Sequence, residues 1–444
     1  METIIAYSRQ SIRPRSKKEA GASFYPLLKK GIWAYFILLI FEGAIRKWVL
    51  PGLATPLLVV RDPIAMWLVF TCLRKGLLPR DGYLICMVVV GVLGTVTAVL
   101  VGHGNIFVAA FGARVFLFHF PLIYVIGKIF DRQDVVNIGK ATIFLAIPIA
   151  VLVALQFYSP QSAWVNRAVG GDEGVGFAGA LGYSRPPGPF SFSNGLSLFY
   201  GFVACFVFYF WLNREDVRRS VLLLATASLL IVIPLSISRG LFFSVMVTLL
   251  FVILASSRKP KFLRRVVVIV VAVLAVGLVL SQMSFFQTAL EVFTVRFTGA
   301  NESEGGVEGV LLDRYLGGLL QAFSLSYDIP FFGIGIGALT NVGTMLLSGV
   351  LVSAISEGEW SRMIQELGPL MGLIVVFVRL GVSFSVAILS YKRMSRGDLL
   401  PWLILSFCLL NLPQGMWSQP TALGFSVLSA GLVYASLRSR KKRL

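Results

Sequence analysis

The residues with the clearest chemical potential in this chain are cations set at the ends of apolar segments. Arg239 lies in Ser236-Ile237-Ser238-Arg239-Gly240, a short break between two long apolar runs. Arg185 heads Arg185-Pro186-Pro187-Gly188-Pro189-Phe190, a rigid turn leading into the apolar run that starts at Asn194. Arg314 follows Asp313, and Arg46 and Lys47 close the stretch Phe41-Glu42-Gly43-Ala44-Ile45-Arg46-Lys47-Trp48. A guanidinium stays charged at every relevant pH and presents a planar fork of donors that fits phosphate oxygens two at a time. Several of them converging on one pocket suit a lipid diphosphate, whose departure needs the developing negative charge to be neutralised. Each cation also has a plainer reading. Arg239 can snorkel to phospholipid headgroups, Arg314 can pair with Asp313, and Arg185 can simply shape its loop. Glu42 and Asp62 can neutralise their basic neighbours between helices.

What must position these residues is a helical bundle in lipid. The chain is 57% hydrophobic and 14% charged, with a mean hydropathy of +0.82, whereas a soluble domain carries about 25% charged residues. A soluble protein of this length has no core large enough to hide that apolar surface. Runs such as 83–101, 135–157, 266–285 and 373–389 have the ~20 residues needed to cross roughly 30 Å of hydrocarbon. The expectation is an all-α polytopic membrane protein of about twelve spans, at 32–49, 56–73, 83–102, 105–127, 135–157, 194–212, 220–237, 240–257, 266–287, 368–390, 399–416 and 420–437. The first 30 residues are polar and basic. They lack the apolar core and small-residue cleavage site of a secretory signal, so the first apolar run is expected to remain as a helix.

The net charge of +19 invites comparison with nucleic-acid binders, but its distribution argues otherwise. The N-terminal tail, the 258–265 loop and the 438–443 tail each carry a net +5, together 15 of the 19. All three flank apolar runs, as positive-inside anchoring requires, and every even-numbered span ends on a basic loop. Both termini are therefore expected in the cytoplasm, with a basic tail at 1–31, a transmembrane domain at 32–437 and a second tail at 438–444. Two long loops then face outward, at about 158–193 and 288–367. The second holds nine acids against Arg296, Arg314 and Arg362, with no lysine, and its stretch 343–355 is apolar enough for an interfacial or re-entrant helix. Cys72, Cys86, Cys205 and Cys408 fall in or beside spans without a CxxC pair, and the two histidines, His103 and His119, are too few for a His-rich metal site. No metal, other cofactor or nucleic acid is expected.

The order Arg185-Pro-Pro-Gly-Pro-Phe…Asn194, then Ser238-Arg239-Gly240, then Asp313-Arg314…Pro330-Phe-Phe-Gly333-Ile-Gly335, then Glu366-Leu-Gly368…Gly372 resembles the O-antigen ligase and polymerase superfamily. The motifs cover roughly 180–390. Each is short and degenerate, and their order and topology carry the likeness. The resemblance implies a GT-C-like membrane glycosyltransferase that takes glycan from an undecaprenyl-diphosphate-linked donor and passes it to a glycan or lipid acceptor. It implies action at the outer face of a bacterial inner membrane, in surface or exopolysaccharide assembly. Arg239 and Arg314 match the family's two donor-diphosphate arginines, with Arg185, Arg46 and Lys47 as possible additions.

One departure stands out. Ligases of the family place a catalytic histidine eleven residues before the glycine that matches Gly368, and here that position is Glu357. A carboxylate can serve as general base for an acceptor hydroxyl. Glu359 or Glu366 can do so instead, and all three can simply solvate the loop or pair with Arg362. The missing histidine favours a divergent polymerase over a ligase. The alternative function is a transporter or flippase of lipid-linked glycan, kept open by Arg114 and Arg379 within expected spans.

Overall fold

The computed structural model describes residues 17–171, 177–213, 217–257, 277–303, 329–348 and 358–438, with isolated helical positions at 267, 271 and 275. It is 78% helical, and its one sheet among the described residues is a two-stranded hairpin. Nine of the described helices are long and apolar enough to cross a membrane, and 219–235 and 400–411 are shorter apolar helices. Large apolar side chains such as Phe107, Phe144 and Phe384 are 76%, 63% and 69% exposed, which is tolerable only against lipid. The chain is an all-α, multi-pass membrane protein. Each expected span except 266–287 overlaps one of these helices; within that stretch 266, 268–270, 272–274 and 276 lie outside the described residues.

The helices, in chain order, are α1 (Lys17–Ala44), α2 (Asp62–Arg74), α3 (Gly82–Leu100), α4 (Ile106–Arg114), α5 (Phe120–Ile129), α6 (Arg132–Tyr158), α7 (Ser193–Leu212), α8 (Arg219–Leu235), α9 (Arg239–Ser257), α10 (Ser284–Ser303), α11 (Asn341–Ser348), α12 (Glu359–Ser395), α13 (Leu400–Asn411) and α14 (Pro420–Arg438). The hairpin strands are β1 (Phe177–Ala180) and β2 (Tyr183–Arg185). Helix starts follow from local chemistry. Asp81 accepts from the backbone of Tyr83 and Leu84, and Asn105 from Phe107 and Val108, so each fills donors that the first turn leaves unpaired. Asp131 and Asp134 form a reciprocal capping box on α6.

α7 and α14 form the centre, 83% and 78% buried over their apolar windows, against 28% for the helix ending at Arg74. Lipid does not drive helices together by hydrophobicity, so close backbone approach has to do it. At α5 and α14 it does: a Cβ on Gly127 would stand 2.6 Å from Tyr434 Cβ, and one on Gly431 2.6 Å from Ile126 Cβ. At the bundle end opposite the candidate site, Lys29 pairs with Asp131 (2.9 Å) and Asp134 (2.6 Å), and Arg132 with Asp398 (2.8 Å).

Two expectations need correction. The loop expected over 288–367 is helical at both ends, since α10 runs to Ser303 and α12 begins at Glu359. Gly368, read as the start of a span, is instead a kink inside α12, at φ 81°. A Cβ there would collide with the carbonyl of Phe331, so glycine lets the 329–340 loop lie against the bend. Of the expected interfacial helix at 343–355, the part to Ser348 lies in α11, and 349–355 lies outside the described residues.

Candidate functional site

α8 and α9 are joined by a tight turn in which Ile237 has φ 48°. A β-branched residue in the left-handed region costs on the order of 1–3 kcal/mol and persists only where its surroundings impose it. The turn sets Arg239 at the first position of α9. It also aims Ser238 Oγ at the Leu241 N–H (3.2 Å) and at Ser197 Oγ of α7 (2.8 Å). The hairpin lies directly on this turn. Leu181 and Gly182 close it with φ 50° and 78°, the backbone that matches strand twist in a two-residue loop. Gly179 faces Ile237, where a Cβ would come within 2.6 Å of Cδ1. Tyr183 stacks on Phe157 of α6 at 4.6 Å, and Arg185 pairs in register with Phe177.

α10 packs on β1 and α8. Phe293 and Phe297, which bracket Arg296, meet Phe242 of α9 at 6.2 and 6.0 Å between ring centroids. Three cations thus gather from a hairpin, a turn and a helix: Arg185, Arg239 and Arg296. Burial, and then the like charges of Arg296 and Arg239, hold the pKa of Arg185 below the usual arginine value. The Nε atoms of both Arg185 and Arg296 are buried without a hydrogen-bond partner. Among the described residues no carboxylate forms an ion pair with either of them. A buried donor on a charged group left unsatisfied costs at least about 1–3 kcal/mol, a cost that an anion with several oxygens would offset.

Next to it a cleft opens to solvent. Its wall includes Glu42 from α1 and Arg46 from the π-helical turn Ile45–Val49 that follows it, Phe111 from α4, Phe192 and Asn194 at the start of α7, Asn341 from α11 and Gln419 before α14. Cleft and cluster share parts. Phe192 meets Phe177, the register partner of Arg185, edge to face at 5.6 Å, and Ser197 lies one helical turn beyond Asn194.

The expected site residues divide among these places. Arg185 and Arg239 lie in the cluster. Arg46 lies on the cleft wall, donating to Ser191 Oγ (2.9 Å) and the Ala54 carbonyl (2.7 Å), 3.5 Å from Glu42. Lys47 turns inward to the Gly188 carbonyl at 2.7 Å. Glu359 and Glu366 are brought together with each other and not with the cleft lining. Arg362 bonds Glu359 at 2.8 and 3.0 Å and Glu366 at 2.8 Å, while Arg379 reaches Glu359 at 3.1 Å. All four side chains are buried. Arg314 and Glu357 lie outside the described residues.

Arg296 and Glu42 are the site residues the sequence did not single out as candidates. Arg296 stood only in a charge count. Its signal was an arginine between two phenylalanines on a helix-length stretch of an otherwise acidic loop. Comparison with protein-family models, curated proteins and solved structures gave no match.

Proposed function

We propose that this chain is a membrane glycosyltransferase of the O-antigen ligase and polymerase type, GT-C-like, with twelve spans and both termini in the cytoplasm. It takes glycan from an undecaprenyl-diphosphate-linked donor to an acceptor at the outer face of a bacterial inner membrane, as a polymerase more than a ligase. The observation that carries the reading is the cluster of Arg185, Arg239 and Arg296, with two guanidinium Nε atoms buried and unpartnered. A lipid diphosphate supplies oxygens for several guanidinium groups at once, and transfer leaves negative charge on the departing diphosphate where those groups can stabilise it. The basic 74–80 loop and Lys128 lie at the bundle end away from the cluster, which supports an outer-face cluster by the positive-inside rule. The flippase alternative loses its main support. Arg114 is taken up by Asp62 at 3.0 Å and Arg379 by Glu359 at 3.1 Å, so neither is available to line a path.

The test is the length distribution of lipid-linked glycan in cells lacking the chain. Single repeats that accumulate on the lipid support a polymerase, and long chains retained on the lipid support a ligase. No change in either removes the proposal. In the same strain, Arg185→Ala, Arg239→Ala and Arg296→Ala are each expected to reproduce the loss while the protein still folds.

A further inference from the structure

The cleft beside the arginines differs from them in chemistry, and that difference identifies what it holds. Its two charged side chains have opposite signs: Glu42 is held at Oε2 by Arg61 (3.0 Å), and Arg46 is spread over Ser191 and the Ala54 carbonyl. An ionic ligand therefore gains little. Around this balanced pair stand three carboxamides, Asn194, Asn341 and Gln419, and the phenyl groups of Phe111 and Phe192. Asn194 Nδ2 already donates to Gln419 Oε1 at 3.0 Å and Gln419 Nε2 to the weak acceptor Met416 Sδ at 3.7 Å, so the two amides are oriented as a unit with Asn194 Oδ1 still to be filled. Glu42 Oε1 has only the long 3.5 Å approach of Arg46, which leaves a buried carboxylate oxygen with capacity for a hydroxyl.

Oriented amides, one carboxylate oxygen and apolar ring faces are what a neutral polyhydroxylated ring requires. Its hydroxyls both donate and accept, while its C–H face packs on aromatic carbon. We infer that this cleft is a neutral-saccharide site, in which Asn194 and Gln419 bind ring hydroxyls and Glu42 Oε1 accepts from the innermost one. Naming it the acceptor site rests on the transferase reading above; the binding itself does not. The short links through Phe177–Phe192 and Ser197–Ser238 place this saccharide next to the arginine cluster, where an acceptor has to be.

The experiment uses the full chain in lipid nanodiscs and a set of neutral disaccharides (maltose, cellobiose, lactose and chitobiose), read by saturation-transfer difference NMR. At least one is expected to bind. Asn194→Ala and Gln419→Ala, on exposed and half-buried positions, are expected to weaken it by about threefold to tenfold each, the loss of one or two hydrogen bonds. Asn341→Trp, which fills the cleft without removing a buried partner, is expected to abolish it. Arg239→Ala is expected to leave it unchanged. Failure of all four sugars to bind, or binding indifferent to Asn194→Ala and Asn341→Trp, overturns the inference. So does native mass spectrometry showing a phospholipid retained by the parent chain and lost in Asn341→Trp. Saccharide binding that survives alongside an arginine series with unaltered glycan length would leave the cleft standing and remove the transferase.

Discussion

Replacing Glu359 by glutamine separates a structural carboxylate from a catalytic one. Glu359 is buried, with Arg362 at 2.8 and 3.0 Å and Arg379 at 3.1 Å. In Glu359→Gln, Arg362 keeps Glu366 at 2.8 Å. Arg379 keeps the carbonyls of Leu412 (2.9 Å) and Gly415 (2.7 Å) and the face of Trp417, but loses its carboxylate. The new amide also turns donors toward guanidinium groups that have only donors. Removing one partner of a buried ion pair costs about 3–5 kcal/mol, or roughly 10²- to 10⁴-fold in the folding equilibrium. Thermal unfolding of the purified variant in detergent, followed by tryptophan fluorescence, should show that loss. Glycan length in cells should fall only as far as the amount of folded protein falls. Glu359→Leu combined with Arg379→Met removes both charges and leaves the Arg362–Glu366 pair intact, so it should recover most of the stability. A Glu359→Gln protein as stable as the parent yet inactive would refute the structural reading and make Glu359 a candidate base.

Arg296→Ala should weaken retention of an undecaprenyl diphosphate probe by about ten- to a hundredfold, the worth of a charge-assisted hydrogen bond. Its melting temperature should hold or rise, since a like charge beside Arg185 has gone; a fall would mean that Arg296 is a structural residue. Gly179→Ala drives a Cβ against the Tyr183 carbonyl and Ile237 Cδ1, which should lift the hairpin and cost about tenfold in the same binding while the bundle unfolds at the parent temperature. Gly368→Ala adds a Cβ at φ 81° against Phe331. It should destabilise by about 1–3 kcal/mol and expose the 329–340 loop to protease, and unchanged melting would refute the account of the kink.

The spans were legible because hydrocarbon thickness writes itself into the sequence as long apolar runs, and the cap residues Asp81, Asn105 and Asp131 mark where several of them begin. Two members of the arginine cluster were legible for the opposite reason: Arg185 and Arg239 border apolar sequence with no acidic residue within ten positions along the chain. Arg296 was hidden by its neighbourhood. A loop with many acids offers every arginine an apparent partner, and only the packing of Phe293 and Phe297 on Phe242 turns this one toward the cluster. Glu359 and Glu366 carried two readings, a general base or a partner of Arg362. Their spacings of three and four residues from Arg362 are helical, but the stretch read as loop, so nothing in it decided between the ion pairs now seen along α12 and a base. The cleft was least legible, because its wall comes from segments as far apart as Glu42 and Gln419.

Charge pairing separates scaffold from site more sharply than burial does. Glu42 with Arg61, Asp62 with Arg114 and His119, and Glu359 with Arg362 and Arg379 all sit within the bundle and are matched at 2.8–3.1 Å. In surroundings of low dielectric an unmatched charge is costly, and these matched sets set how α1, α2, α4 and α12 meet their neighbours. Arg185 and Arg296 break that rule together, on adjoining elements, beside a turn that holds Ile237 in a strained backbone. Arg61 Nη1 is also buried without a partner, but its guanidinium has Glu42 at 3.0 Å; Arg185 and Arg296 have no such ion pair among the described residues, and a bound anion would offset their cost. An anion bound there gains from both guanidinium groups at once. The neighbouring Glu42–Arg46 pair, already balanced, gives no such gain to an ion and so suits a neutral ligand.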